Sequence, residues 1–184
     1  MDLTTWMDNL LIYDPDDFMI NRGAKAFSED APAFNAAEGV SDFAGALNAI
    51  RKYCHLTCLI FETHGAPGYV HFPKGGIDAG NAHRFASVRS SLDTDARILF
   101  EGCSVGQGDA GTKFLLEIGS KLLLGKGGIV GATTCSNFGS PLELLSLIDS
   151  VRMPPWGNLR IMQFDKNGSL IKEVDKQGAL VSAP

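Results

Sequence analysis

The chain has 184 residues, of which 45% are hydrophobic and 20% charged, a composition typical of one globular domain with a core of useful size. The net charge of −5 and the lack of a Lys/Arg cluster argue against a nucleic-acid partner and against an anionic membrane surface. Four cysteines are too few for a disulfide scaffold, and without a secretory signal or a membrane span the default expectation is a cytoplasmic protein.

The first predicted element is a short buried strand at residues 9–13, NLLIY, which ends in the acidic turn DPDD. Asp14, Asp16 and Asp17 of this turn do not match the spacing of a calcium loop, and we expect them to be solvated. Residues 22–40 are rich in Gly, Ala, Ser, Pro and acidic residues and show little periodicity, which predicts a loop or a mobile segment.

Helices and strands then alternate along the chain. Apolar residues at helical spacing predict a helix over residues 41–53, and the apolar run LTCLIFET predicts a strand over 56–63 that is covered on both faces. A short strand at 68–72, a helix over 79–92 and a second buried strand at 96–100 follow.

The alternation continues to the C-terminal region. A helix is predicted over 111–125, a third buried strand over 128–133, and another helix after Ser140, where an N-cap, a first-turn proline and a capping-box acid coincide. Alternating residues around an Asn-Gly turn predict a hairpin over 158–175. The whole pattern predicts a single α/β domain over 1–184, with a mostly parallel sheet and helices on both of its faces.

Two predicted strands, which could be neighbours in the sheet, are each followed by a chemically active side chain. His64-Gly65 follows one strand, Gly102-Cys103 follows the next long one, and parallel strands present their carboxyl ends at one edge of a sheet. A thiol nucleophile needs a base or a cation beside it and backbone N–H groups for the developing oxyanion. A lone Cys after a strand is most often a packing residue and a lone His a surface residue, but their joint placement beside glycines favours a catalytic pair.

The segments LIFETHG at 59–65 and LFEGCSVG at 99–106 resemble the histidine and cysteine blocks of caspase-like cysteine peptidases. That group includes caspases, legumains, clostripain-like and gingipain-like enzymes, and separases. The longer stretch over 98–134 is similar to caspase-like domains of large bacterial surface proteins, and the whole resemblance covers residues 56–135. It implies a three-layer caspase-like fold with a mostly parallel central sheet of about six strands, and cleavage of peptide bonds through a thioester.

The resemblance also implies roles for individual residues. Carried over by position, Cys103 is the nucleophile and His64 is the general acid/base that protonates the leaving amine. The backbone N–H groups of Gly65 and Cys103 would form the oxyanion hole. The expected partner is a protein or peptide substrate, and no cofactor or metal is implied.

Further residues are candidates for binding the substrate. The resemblance puts Glu101 in the pocket for the residue before the scissile bond, where an acid suits Arg or Lys. Relatives with Glu at this position that prefer Asn leave this specificity open, and a solvated carboxylate at a strand end is the simpler alternative. Thr133, Thr134, Cys135 and Asn137 follow the third buried strand and could line the same pocket.

Two other functions stay open at this stage. One is a catalytically silent caspase-like module that binds a partner protein through the same cleft. The other is a flavodoxin-like or similar doubly wound binding domain in which Cys103 only packs. Cys54, His55 and Cys58 make a poor zinc pattern, which favours packing for all three. Delivery as an effector, or origin in a larger protein, also stays open.

Overall fold

The computed structural model describes residues 5–134 and 159–175, which form one seven-stranded sheet, two small sheets and four helical segments. In chain order the strands are β1 (Thr5–Trp6), β2 (Asn9–Tyr13), β3 (Asn35–Gly39), β4 (Tyr53–Cys54), β5 (Leu56–Glu62), β6 (Gly65–Ala66), β7 (Tyr69–Phe72), β8 (Gly75–Asp78), β9 (Leu92–Phe100), β10 (Gly128–Thr133), β11 (Leu159–Phe164) and β12 (Leu170–Asp175). The helices are α1 (Phe18–Asp30), α2 (Phe43–Arg51), α3 (Gly108–Leu122) and a 3-10 helix (Ala82–Ser91).

The main sheet has the strand order β12-β11-β10-β9-β5-β2-β3. Pairing is parallel from β10 to β3, whereas β11 and β12 run antiparallel to their neighbours. The prediction of a three-layer caspase-like fold with a mostly parallel sheet of about six strands is therefore wrong. The sheet is mixed, it has seven strands with an antiparallel end, and the small sheets β1-β4 and β6-β7-β8 accompany it.

The central strands are apolar on both sides because helices cover both faces of the sheet. Leu59 and Phe61 of β5 face a large cluster that includes residues of α2, the 3-10 helix and α3. Cys58 and Ile60 of the same strand face a smaller cluster that includes Phe27 of α1. Each large side chain buried in this way contributes about 1.5–3 kcal/mol of transfer free energy to folding.

Aromatic rings pack just before the carboxyl ends of the two central strands. The rings of Phe61 on β5 and Phe100 on β9 are stacked with centroids 4.9 Å apart, and the ring of Phe114 on α3 meets Phe100 edge-on at 5.0 Å. All three side chains are fully buried. This packing holds the ends of β5 and β9 in fixed register, and it therefore fixes the positions of the residues that follow.

Several local expectations from the sequence are corrected. Residues 22–40 are not a loop, since α1 extends to Asp30 and β3 follows it at Asn35. The helix predicted over 79–92 is a 3-10 helix that ends at Ser91. The helix predicted over 41–53 is α2, which begins only at Phe43 and ends at Arg51, and its N-cap is Asp42, whose side chain accepts a hydrogen bond from the Gly45 amide.

The hairpin predicted near the C-terminal end is present as β11 and β12, while the helix predicted after Ser140 lies outside the described residues. Within residues 5–134 and 159–175, no helix is both long enough and apolar enough to cross a membrane.

Candidate active site

The predicted catalytic residues follow two strands that are neighbours in the sheet. The parallel register pairs Phe61 of β5 with Phe100 of β9, and the Glu101 amide donates to the Phe61 carbonyl at 2.8 Å. His64 follows β5 after one further residue, and Cys103 follows β9 after two. The prediction that both lie at one edge of the sheet therefore agrees with the strand order.

The turns that carry the two residues are in backbone contact. A Cβ built on Gly65 would lie 2.9 Å from the carbonyl oxygen of Cys103 and 2.5 Å from a methyl group of Val105. A Cβ built on Gly102 would lie 3.1 Å from the carbonyl oxygen of His64. A Cβ at Gly65 would clash and one at Gly102 would be tight, so the two glycines beside the predicted dyad let its two turns approach each other closely.

The turn at Cys103 is tight and well bonded. Ser104 has a φ of 60°, in the left-handed region that side chains other than Gly rarely adopt. The Thr133 hydroxyl donates to the Gly102 carbonyl, and the Gly106 amide donates to the Thr133 carbonyl at 2.7 Å. Cys103 itself is half-buried and carries a free thiol. Two hydrogen bonds with Thr133 of β10 thus fix the turn that carries Cys103.

His64 has a partner that the sequence did not suggest. Its Nε2 lies 3.1 Å from Oδ2 of Asp17, and 63% of its side chain is exposed. The other oxygen of Asp17 accepts from the amides of Met19 and Ile20, so that Asp17 is the N-cap of α1. With Nε2 engaged by the carboxylate, Nδ1 is the ring nitrogen left to exchange a proton with a thiol or a substrate.

These contacts hold the pKa of Asp17 below its ordinary value. The largest cause is the hydrogen bond from the Ile20 amide, and the Met19 amide and His64 act in the same direction. Asp17 therefore stays ionised where a catalytic histidine works. The expectation that the acids of the DPDD turn are merely solvated is wrong for Asp17. Recognition of an N-cap before the first turn of α1 could have revealed its capping role, but not its contact with His64.

Glu101 is buried and not solvated, because only 6% of it is exposed. Neither of its side-chain oxygens has a hydrogen-bond partner among the described residues. Burial raises the pKa of Glu101 well above its usual range, and the neighbouring Glu62 raises it further. Burial and the charge of Asp17 raise the pKa of Glu62 to about 7. Glu62 is a second acid of this site that the sequence analysis did not single out.

Three of the remaining predicted site residues lie in the described part of the chain and two lie outside it. Gly65 is the first residue of β6 and is in register with Val70 of β7. Its role as an oxyanion donor stays a prediction. Thr133 and Thr134 are buried at the end of β10, and the Thr134 hydroxyl has no partner among the residues described. Cys135 and Asn137 lie outside the described residues.

One family of proteins matches the chain over the part that carries both predicted catalytic residues. The family is DUF4347, described as a domain of unknown function, and its model matches residues 30–123. The matched range includes His64 and Cys103 but begins after Asp17 and ends before Thr133. No curated protein matches the chain.

Proposed function

Since the chain belongs to the DUF4347 family, a domain of unknown function, we propose its activity from the site itself: a cysteine peptidase that cleaves peptide bonds through Cys103. The observation that carries the proposal is the backbone contact between the His64-Gly65 turn and the Gly102-Cys103 turn. It brings a free thiol and an imidazole to the ends of two adjacent parallel strands. Asp17 completes the arrangement as a positioning residue for His64.

The proposed reaction runs in two steps that share the same residues. Cys103 Sγ attacks the carbonyl carbon of the scissile bond while its proton passes to Nδ1 of His64. The C–N bond breaks as His64 returns that proton to the leaving amine, which leaves a thioester on Cys103. Water then adds to the thioester, His64 takes a proton from it, and the thiol departs with that proton as the carboxylic acid forms.

Asp17 acts on His64 and not on the substrate. Its carboxylate accepts a hydrogen bond from Nε2–H of His64, which leaves the lone pair on Nδ1 free to receive a proton. The same carboxylate stabilises the imidazolium that forms in each step. The proposed oxyanion donors are the amides of Gly65 and Cys103, and the proposed partner is a protein or peptide substrate. A thiol nucleophile is kept reduced in the cytoplasm, where we place the activity.

Thiol labelling and turnover together test the proposal. We expect iodoacetamide to alkylate Cys103 faster than Cys54, Cys58 and Cys135, as read by peptide mass spectrometry, because a nucleophile with a base at the same edge of the sheet gives up its proton on attack. Cys103→Ala should abolish cleavage of a peptide library, and His64→Ala should come close to doing so. Neither change should unfold the protein, since both side chains lie at the sheet edge.

Cys54→Ala is the matched control, because Cys54 is also a half-buried cysteine but lies on β4. It should leave cleavage unchanged. Full activity in Cys103→Ala would show that the nucleophile is wrongly assigned. Equal labelling of all four cysteines, with no cleavage of any peptide, would favour a silent module that binds a partner through the same cleft.

A further inference from the structure

Two buried threonines bond to the turns that carry the proposed dyad. Thr63 follows β5 and Thr133 ends β10, and their exposed fractions are 4% and 6%. The Thr63 hydroxyl donates to the carbonyl of His64 at 2.9 Å, and the Thr133 hydroxyl donates to the carbonyl of Gly102. A buried hydroxyl needs an acceptor in any protein, so the informative feature is which two carbonyls these hydroxyls hold.

Each of these carbonyls belongs to the same peptide group as a proposed oxyanion donor. The His64 carbonyl is joined to the N–H of Gly65, and the Gly102 carbonyl is joined to the N–H of Cys103. Both peptide groups are trans, so the C=O and the N–H point in opposite directions across one rigid plane. A hydrogen bond that holds the carbonyl therefore also fixes the direction of the N–H.

The peptide group between Gly102 and Cys103 is held from the side of β10. Besides the Thr133 hydroxyl, the one backbone amide of the described residues that reaches the Gly102 carbonyl is that of Val105, at 3.4 Å. The carbonyl thus faces β10, and the Cys103 N–H is directed away from that strand. Within residues 5–134 and 159–175 this N–H donates to no backbone carbonyl, which leaves it available to a ligand.

The peptide group between His64 and Gly65 is held from the side of β7. The His71 amide donates to the His64 carbonyl at 2.9 Å, in addition to the Thr63 hydroxyl. That bond belongs to the residue pair next to Gly65 and Val70, which are therefore the antiparallel pair that exchanges no hydrogen bonds. The Gly65 N–H consequently points away from β7.

We propose that Thr63 and Thr133 are positioning residues that preorganise the oxyanion hole, each by fixing the peptide group that carries one of its two donors. The turns are in backbone contact at Gly65 and Gly102, so the two fixed N–H groups lie at one place on the sheet edge. Donors that are already aimed at an oxyanion stabilise it without reorganisation. The inference rests on the proposed function, because an oxyanion forms only if Cys103 attacks a carbonyl.

Substitution by valine removes each hydroxyl and keeps the branched shape of the side chain. Thr133→Val should lower kcat by about tenfold to a hundredfold with little change in KM, because a misdirected donor matters only in the transition state. Thr63→Val should lower kcat less, by about twofold to tenfold, since the His71 amide still holds the His64 carbonyl. Thr133→Ser keeps the hydroxyl and should retain most of the parent kcat.

Thr57→Val is the matched control. The Thr57 hydroxyl also donates to a backbone carbonyl, that of Asp8 at 3.1 Å, but Thr57 lies near the start of β5, at the opposite edge of the sheet. This variant loses a hydrogen bond of the same kind and should keep the parent kcat. A comparable fall of kcat in Thr57→Val would mean that Thr133→Val acts through general destabilisation, and it would overturn the proposal.

Two reagents that react with the same thiol distinguish positioning from damage to the turn. When a peptide aldehyde with the sequence of a cleaved peptide binds, Cys103 Sγ adds to its carbonyl carbon, the thiol proton passes to His64, and the carbonyl oxygen occupies the oxyanion position. Iodoacetamide instead alkylates Sγ at a saturated carbon, with loss of iodide, and forms no oxyanion. We expect Thr133→Val to bind the aldehyde about tenfold to a hundredfold more weakly, while iodoacetamide alkylates Cys103 at the parent rate.

The outcomes separate this inference from the proposed function. Parent-like kcat and aldehyde affinity in both Thr133→Val and Thr63→Val would overturn the positioning role and leave the peptidase in place. Equal losses toward the aldehyde and toward iodoacetamide would also overturn it, because Thr133 would then hold the turn as a whole and not the direction of one N–H. A parent protein that cleaves no peptide would remove the peptidase itself, and the oxyanion hole with it.

Discussion

Asp17 uses its two carboxylate oxygens for two separate tasks, and His64 depends on one of them. Oδ1 caps α1 by accepting from the Met19 and Ile20 amides, while Oδ2 lies 3.1 Å from Nε2 of His64. The start of α1 is thereby tied to the turn after β5. The orientation of a catalytic imidazole is thus linked to a helix that the sequence pattern did not predict.

The two tasks of Asp17 can be separated by substitution. Asn is a good N-cap, so Asp17→Asn should keep the helix but lose the charge that orients His64, whereas Asp17→Ala loses both. We expect Asp17→Asn to melt near the parent temperature and to lower kcat by about tenfold to a hundredfold with little change in KM. Asp17→Ala should also lose about 0.5–2 kcal/mol of stability.

The split between kcat and KM distinguishes positioning from a general structural effect of Asp17. In Asp17→Asn the imidazolium that forms in each step loses its carboxylate partner, so kcat should fall while KM and the melting temperature stay close to those of the parent. A parent-like kcat in Asp17→Asn would mean that the contact with His64 has no catalytic role.

Gly65 offers a test of the contact between the two turns. A Cβ on Gly65 would meet Val105 at 2.5 Å and the Cys103 carbonyl at 2.9 Å, so Gly65→Ala forces the turns apart. We expect a loss of about 1–3 kcal/mol in the free energy of unfolding, measured by urea denaturation, together with slower alkylation of Cys103.

Gly45→Ala is the matched control for that test. Gly45 lies within α2, where an added Cβ would make only ordinary contacts at 3.4 Å with the side chains of Asp42 and Val40. It should stabilise the protein by about 0.5–1 kcal/mol, because Ala replaces Gly inside a helix. Similar results for the two variants would argue against a special contact at Gly65.

The sequence pattern predicted most strands of the sheet, but it did not predict how these strands pair with one another. β5 and β10 are uninterrupted apolar runs because both of their faces are buried, and such runs are visible in a sequence. β3 is NAAEG, with no β-branched or aromatic residue, and only its register with β2 makes it a strand. The hairpin of β11 and β12 was visible in the sequence, but its antiparallel pairing with β10 and the total of seven strands could not be derived from periodicity.

In the candidate site, too, motifs of adjacent residues could be found in the sequence, whereas contacts between residues far apart in the chain could not. The His-Gly and Gly-Cys motifs are local, so the sequence identified His64 and Cys103 as candidates. Asp17 is 47 residues away from His64 along the chain, and only the position of α1 brings them together. Glu62 becomes a neighbour of Glu101 only when the register of β5 and β9 is known.

The raised pKa of Glu62 predicts how stability changes with pH. Its pKa is about 7 in the folded protein and 4.5 in its ordinary state, so between these values the folded protein binds more protons than the unfolded chain does. Stability should therefore fall as pH rises from about pH 5 to pH 7, and the loss should be complete above pH 7. Urea denaturation across this range should show that slope, and Glu62→Gln should reduce it.

Glu29→Gln is the reference for this measurement. It removes an exposed carboxylate from α1 and leaves the buried Glu62 in place. Its pH dependence should follow that of the parent. A parent slope that persists unchanged in Glu62→Gln would place the titrating group elsewhere, and Glu101→Gln would then be the next variant to measure.

The last prediction concerns Glu101 and the choice of substrate. If Glu101 faces the side chain before the scissile bond, peptides with Arg or Lys at that position should be cleaved fastest. Glu101→Gln keeps the size of the side chain and removes its charge, and a charge-assisted contact is worth about 1.5–3 kcal/mol. The ratio kcat/KM on basic peptides should therefore fall by about tenfold to a hundredfold, with little effect on neutral ones. An equal loss on both classes would instead assign Glu101 a structural role, because a buried and unpartnered side chain next to the Cys103 turn can also act through packing.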